Sequence, residues 1–174
     1  SMTSNSRLWR WLGLIFVLSF GALGYLGWQI YLAAPPIPTV VSTSDGKVLF
    51  TGEQIQKGQQ AWMAAGGQQL GTVWGHGAYV APDWSADWLH REATELEALR
   101  AKQRAGALVP SAEQLAVVDA NLKTEMRRNT YDGATGTITV SPERGQAIAA
   151  VEKHFDDLFG TEPSLAKLRE QYAM

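Results

Sequence analysis

The chain has 174 residues, room for one domain of ordinary size plus a short accessory element, which excludes a multidomain enzyme. Hydrophobic residues make up 45% and charged residues 18%, with 7 Trp, 5 Tyr and 5 Phe, so the chain folds instead of staying disordered. The formal charge is -2 with no basic run that could neutralise a phosphate backbone, and there are 0 Cys. Nucleic acid is thereby excluded as a partner, as are disulfides, thiolate metal sites, cysteine nucleophiles and covalent c-type haem attachment.

Residues 1–10 read as a cytoplasmic N-terminus and 11–34 as a transmembrane helix. Between Trp11 and Ala34 no side chain is charged and Gln29 is the only strongly polar one; as a helix this stretch is about 36 Å long, enough to cross a bilayer's hydrocarbon core. A secretory signal peptide is the competing reading, because Arg7 and Arg10 precede the apolar run. The run exceeds the usual h-region, lacks an Ala-x-Ala end and is followed directly by Pro35-Pro36, which favours a retained anchor. Both arginines lie before the span and the first charge after it is Asp45, so the positive-inside bias puts the N-terminus in the cytoplasm and the rest of the chain outside. Trp9, Trp11, Trp28 and Tyr31 suit the two headgroup layers. Gly21, Gly24 and Gly27 form a small-residue surface that fits either close helix packing or the ordinary glycine content of membrane helices.

Residues 35–50 read as a linker and extended segment. Pro35, Pro36 and Pro38 make a stiff exit, and Asp45-Gly46 is a turn between two extended pieces, Thr39 to Ser42 and Lys47 to Phe50. With Arg7 and Arg10 set aside, the remainder carries 13 basic against 17 acidic residues, the balance of a soluble domain, which is expected over 51–174. Thr51 with Gln54 is a capping box that opens a helix, and Gly66-Gly67 ends it. A Gly-rich loop with Trp74, His76 and Tyr79 follows up to Pro82. Asp83 or Ser85 caps a second helix to about Arg104, with Trp88, Leu89, Leu96 and Leu99 on one face and Arg91, Glu95 and Lys102 on the other. Ser111 with Gln114 opens a third, whose apolar stripe is Leu115, Val118, Leu122 and Met126. Tyr131 to Val140 reads as a short β-hairpin or extended segment. Ser141-Pro142-Glu143 starts a fourth helix carrying Ile148, Val151, Phe155, Leu158 and Phe159, with Gly160 as its stop. Thr161-Glu162-Pro163 opens a last helix with Leu165, Leu168 and Tyr172. This helix meets Met174 with no Gly or Pro stop, so the domain is expected to continue beyond 174.

The residues alone assemble no catalytic set. His76, His90 and His154 lack the i, i+4 spacing of a helical zinc site, and His90 and His154 read as boundary side chains of their helices. No Gly-x-Ser-x-Gly elbow is present, the glycines at 66, 67, 71, 75 and 77 lack the Lys and Ser/Thr of a phosphate loop, and Asp83 with Asp87 fits a helix start.

The run Gly66-Gly67-Gln68-Gln69-Leu70-Gly71-Thr72-Val73-Trp74-Gly75-His76-Gly77-Ala78-Tyr79-Val80-Ala81-Pro82-Asp83-Trp84-Ser85-Ala86-Asp87-Trp88, with Gly27-Trp28-Gln29-Ile30-Tyr31 before it and Asn129-Thr130-Tyr131-Asp132 after it, resembles the outer domain of quinol-dependent nitric oxide reductase, the single-chain bacterial respiratory enzyme. The resemblance implies a mainly α architecture: one N-terminal transmembrane helix, then a cytochrome c-like helical domain lacking haem c, with a short β-hairpin. In the related two-subunit enzyme a Cys-x-x-Cys-His precedes the Gly-Ala-Tyr segment, and alignment on Gly77-Ala78-Tyr79 places Gly67, Leu70 and Gly71 at those positions. Trp62, Trp74, Trp84 and Met63 are then the candidates to fill the haem space.

By the same resemblance Gly77 and Tyr79 are the metal contacts, a backbone carbonyl and a phenol oxygen at a calcium ion shared with partner helices, a donor set that suits a hard cation. The chain itself is expected to bind no cofactor alone. Haem b, haem b3 and non-haem iron belong to a haem-containing transmembrane helical bundle of the same enzyme, the partner that this chain lacks. The implied function is that of an anchor and docking domain in the bacterial inner membrane, in contact with the lipid bilayer and with its main domain periplasmic, serving an enzyme that reduces two NO to N2O and water with electrons from quinol. A homodimer of the intact enzyme is compatible with this. The alternatives are a single-span periplasmic sensor or assembly module, and a haem carrier ligated noncovalently by His76 or Met63, which the missing attachment motif disfavours.

Overall fold

The computed structural model describes residues 2–67, 83–106 and 109–172. Among the quoted candidates, Leu70, Gly71, Trp74, His76, Gly77 and Tyr79 lie outside the described residues. The chain divides into two units, Ser1–Pro36 and Ile37–Met174.

The first unit is one helix, α1 (Met2–Ala33). Its stretch Asn5–Ala33 is long and apolar enough to cross a membrane, and none of its most apolar window is buried against protein, as expected for a face that meets lipid. Gln29, the polar exception, turns its amide onto the hydroxyl of Tyr25 one turn back at 3.0 Å, which lowers the cost of carrying it into an apolar medium.

The second unit joins a small sheet to a helical layer. Strands β1 (Val40–Thr43) and β2 (Val48–Thr51) form an antiparallel hairpin around Gly46, which sits at φ 91, a left-handed conformation that glycine adopts without strain. Strands β3 (Tyr131–Asp132) and β4 (Thr137–Val140) form a second hairpin. The sequence pattern predicts one short hairpin; instead β1 pairs in parallel with β4 to give a four-stranded sheet of order β2-β1-β4-β3. The segment 35–50, expected as linker and extended segment, therefore supplies two strands to the sheet. Gly136, at φ 70, offers its carbonyl to the Thr39 amide at 2.7 Å and stitches the two hairpins together.

Between the hairpins lie α2 (Gly52–Ala64), α3 (Trp84–Ala105) and α4 (Ala112–Arg127), and after them come α5 (Pro142–Phe159), a 3₁₀ turn (Pro163–Leu165) and α6 (Ala166–Gln171). The capping signals hold. Thr51 with Gln54 and Ser111 with Gln114 make reciprocal capping boxes, Asp83 accepts from the Ser85 and Ala86 amides, and Ser141 accepts from the Arg144 amide ahead of Pro142, each satisfying donors that the first turn leaves open. The expected last helix is shorter than its pattern suggests, because Pro163 opens a 3₁₀ turn first and α6 spans only 6 residues.

The core lies where α3 packs on α4 and α5. Leu96, Leu122 and Ala147 form its centre, with Ala93, Leu99 and Met126 against them; Val118, Val151 and Leu158 are also buried. Gly145 brings the first turn of α5 onto the sheet: a Cβ there would stand 2.5 Å from Cγ2 of the buried Thr43. Two assignments of helix faces differ from the expectation. Leu89 and Leu115 are exposed, whereas Glu92 is buried at 2%. For α3 the reason is polar: it meets α5 through the Glu92–Arg144 pair and α4 through the Arg100–Glu125 pair, so the charged side of its sequence also faces protein.

Candidate functional site

The site is the pole of the domain where residues 68–82 leave the described chain after Gly67 and rejoin it at Asp83. It is built of aromatic rings drawn from four elements. Trp62 comes from the last turn of α2, Trp84 and Trp88 from the first turns of α3, Phe155 and Phe159 from the end of α5, and Tyr172 from the end of α6. The i, i+4 spacing of Trp84 with Trp88 and of Phe155 with Phe159 sets each pair on one helix face.

Trp84 is the hub. Its ring meets Trp62 at 6.0 Å, Phe159 at 5.3 Å, Phe155 at 6.1 Å and Tyr172 at 5.7 Å, mostly edge to face. Trp88 stacks on Phe155 at 5.4 Å and 7°. Such pairs contribute about 0.5–1.5 kcal/mol each beyond the area they bury. The indole N–H groups of Trp62 and Trp84 are buried with no conventional acceptor among the described residues. Edge-on contacts at 76° to Phe159 and 88° to Tyr172 offer π faces as weak acceptors instead.

Gly67 completes the cluster. A Cβ at this position would overlap the six-membered ring of the Trp62 indole, so only glycine lets that ring lie against the backbone. Of the residues expected to fill the haem space, Trp62 and Trp84 sit in the cluster, while Met63 does not: it is 60% exposed, since one step along the helix rotates it away from the ring beside it. Phe155, Phe159 and Tyr172 read in the sequence only as apolar positions of their helices; their spacing marks the faces but not that these faces meet Trp84.

Polar groups tie the cluster down. The Arg91 guanidinium pairs with Asp87 at 2.9 Å, and the Tyr172 hydroxyl reaches the other oxygen of Asp87 at 3.4 Å. Burial pulls the Arg91 pKa down, but the hydrogen bonds to Asp87 and Tyr172 more than offset it and leave the value raised. Trp88 donates through Nε1 to Glu92 at 3.2 Å, and Arg144 donates through Nε to the other Glu92 oxygen at 2.5 Å. His154 stands edge-on to Phe155 at 5.5 Å with its Nε2 buried and without a partner among the described residues; burial first, and the Arg91 charge second, hold its pKa below the usual histidine value. His90 is exposed. Asp83 and Asp87, read as a helix-start pair, have separate roles as N-cap and as partner of Arg91.

No group of three or more His, Asp or Glu side chains that could hold a metal occurs among the described residues. A thioether-linked haem does not fit the described part of the site: the chain has 0 Cys, and the Trp62 ring occupies the space into which a side chain at 67 would project.

A family model that describes the cytochrome c-like domain of the nitric oxide reductase protein NorB matches residues 38–174. No curated protein sequence matches the chain. The matched span takes in both hairpins and every helix of the second unit. With a mainly helical domain, one apolar N-terminal helix and no cysteine for haem attachment, the chain belongs to the NorB family of nitric oxide reductases through its cytochrome c-like domain.

Proposed function

We propose that the chain is the N-terminal anchor and periplasmic docking domain of a quinol-dependent nitric oxide reductase. In this reading α1 crosses the bacterial inner membrane with Arg7 and Arg10 on the cytoplasmic side. The domain covers the outer mouth of a helical bundle that carries haem b, haem b3 and non-haem iron and reduces two NO to N2O and water with electrons from quinol. The chain holds no redox centre. Gly77 and Tyr79 contribute oxygen donors to a calcium ion shared with that bundle, and the Gly21, Gly24 and Gly27 surface of α1 suits close packing with another membrane helix.

The observation that carries this reading is the Trp62 ring lying over Gly67. With Gly67 placed by the resemblance at the first attachment cysteine, the indole covers the point where a thioether would start, which supports a domain that relays no electrons through a covalently attached haem of its own. An enzyme that draws its electrons from quinol within the membrane does not require such a relay, and what the domain retains is shape and surface.

The test is co-expression of this chain, tagged, with the membrane bundle, followed by affinity purification in mild detergent. Haem b absorbance is expected to co-purify at fixed stoichiometry, with no Soret band when the chain is purified alone. Elution of the chain free of haem in the presence of the bundle would refute docking, and a Soret band in the isolated chain would refute the structural role.

A further inference from the structure

A cavity larger than the one beside Trp84 and Phe159 lies away from the aromatic pole. It is a polar cleft of about 610 Å³ between the C-terminal end of α4, strand β4 and the first turn of α5. Apart from Val140 its described lining consists of hydrogen-bonding side chains, among them Arg128, Arg144, Asn121, Asn129 and Thr130.

The two arginines stand differently. Arg144 is 17% exposed and uses Nε for Glu92. Its Nη amines have no acceptor among the described residues, yet they are not among the buried unsatisfied atoms, so this fork meets solvent where the residue lines the cleft. Arg128 is the C-cap of α4, is exposed, and has no ion pair among the described residues. The one carboxylate of the described lining, Glu125, is already engaged on both oxygens, by Arg100 on one side and by the Ser141 hydroxyl at 2.6 Å on the other. Glu92 answers Arg144 from behind. The cleft is left with one unpaired cation among its described lining, Arg128, and with the free Nη donors of Arg144, while the partial charges of the α5 N-terminus and the α4 C-terminus that flank it oppose each other.

We propose that this cleft binds a phosphate-bearing small ligand, gripped by the Nη fork of Arg144 and by Arg128. A guanidinium fork matches two phosphate oxygens at once, and its charge strengthens both bonds. The volume exceeds that of a bare phosphate and leaves room for an organic body whose polar groups meet Asn121, Asn129 and Thr130. In a chain anchored by an apolar helix, the phosphate can come from a lipid headgroup or from a free metabolite; the chemistry of the grip is the same.

The test uses the full chain in dodecyl maltoside micelles, which carry no phosphate, and, separately, in nanodiscs of phosphatidylglycerol, titrated with inorganic phosphate and followed by calorimetry and by the arginine Nε–H resonances. Saturable binding is expected in the micelles. Arg128→Ala and Arg144→Lys are each expected to weaken it about tenfold or more; the second variant keeps a cation facing Glu92 while removing the fork, and thermal unfolding monitors its fold. Equal binding in micelles and discs assigns the site to free phosphate esters, and its loss in the discs assigns it to lipid headgroups. Absence of saturable binding in the micelles overturns the proposal, as does binding that Arg128→Ala leaves unchanged, a readout that stands even if Arg144→Lys fails to fold.

Discussion

Replacing Glu92 by alanine tests how α3 and α5 are held together. The carboxylate is 2% exposed. It accepts from Trp88 Nε1 at 3.2 Å and from Arg144 Nε at 2.5 Å, so its removal strands an indole N–H and a largely buried guanidinium at once. Breaking a buried pair from one side costs about 3–5 kcal/mol, a large part of the roughly 5–15 kcal/mol that holds a domain folded. At about 3–5 °C per kcal/mol for a domain of this size, Tm falls by about 10–20 °C. Near-UV circular dichroism of the full chain in detergent reads this directly, because Trp88 donates to Glu92 and stacks on Phe155 of α5.

The sign of the coupling is the sharper result. Glu92→Leu combined with Arg144→Met replaces the pair by apolar groups of similar volume and leaves no uncompensated charge. Such replacements are often neutral or stabilising, so the double variant is expected to melt above Glu92→Ala. A cost below about 1 kcal/mol for Glu92→Ala, or a double variant less stable than the single one, would refute the claim that the pair is a buried and mutually dependent unit.

Three further outcomes are expected, the first two from the geometry and the third from the proposed function. Gly67→Ala places a methyl group into the Trp62 ring and is expected to cost about 1–3 kcal/mol, and to cost much less when added to a chain that already carries Trp62→Leu; thermal unfolding of the single and double variants decides it. His154 has a folded pKa below its ordinary value of 6.5; the unfolded chain therefore binds the proton first, and stability present above pH 6.5 is lost as pH falls from there toward the folded value. His154→Gln is expected to flatten that part of a Tm-against-pH profile, and an unchanged slope would reject the assignment. In the complete enzyme, Tyr79→Phe is expected to lower NO turnover and calcium retention while leaving the melting of this domain unchanged; unaltered turnover and calcium content would remove Tyr79 from the metal site.

The parts of this fold legible in the sequence are those written locally. Thr51 with Gln54, Asp83, Ser111 with Gln114, and Ser141-Pro142 each announce a helix through side-chain chemistry within four residues, and all four helices begin there. The illegible parts depend on partners far along the chain. Glu92 sits among other carboxylates on α3, and what buries it is Arg144, 52 residues away. The strand from Thr137 to Val140 carries β-prone residues, but nothing in them states that they align in parallel with Val40 to Thr43. At the aromatic pole the family resemblance singles out Trp62 and Trp84, whereas Phe155, Phe159 and Tyr172 become visible as their partners only when α5 and α6 are brought to the start of α3.

That convergence bears on how a cytochrome c-like fold persists without a covalently attached macrocycle. Neither α2 nor α6 contributes a buried residue, so helix propensity and surface pairs alone would leave both loosely held, since short isolated helices are marginal in water. Trp62 and Tyr172 nevertheless place their rings 6.0 Å and 5.7 Å from Trp84, and Phe155 and Phe159 bring in the end of α5. One indole, 8% exposed, thus ties four helices at the place where residues 68–82 begin and end. The glycine at 67 is part of the same arrangement: a side chain there would push Trp62 off the hub and release α2. Any side chain at position 67, a cysteine's included, is therefore incompatible with the Trp62 ring in this place.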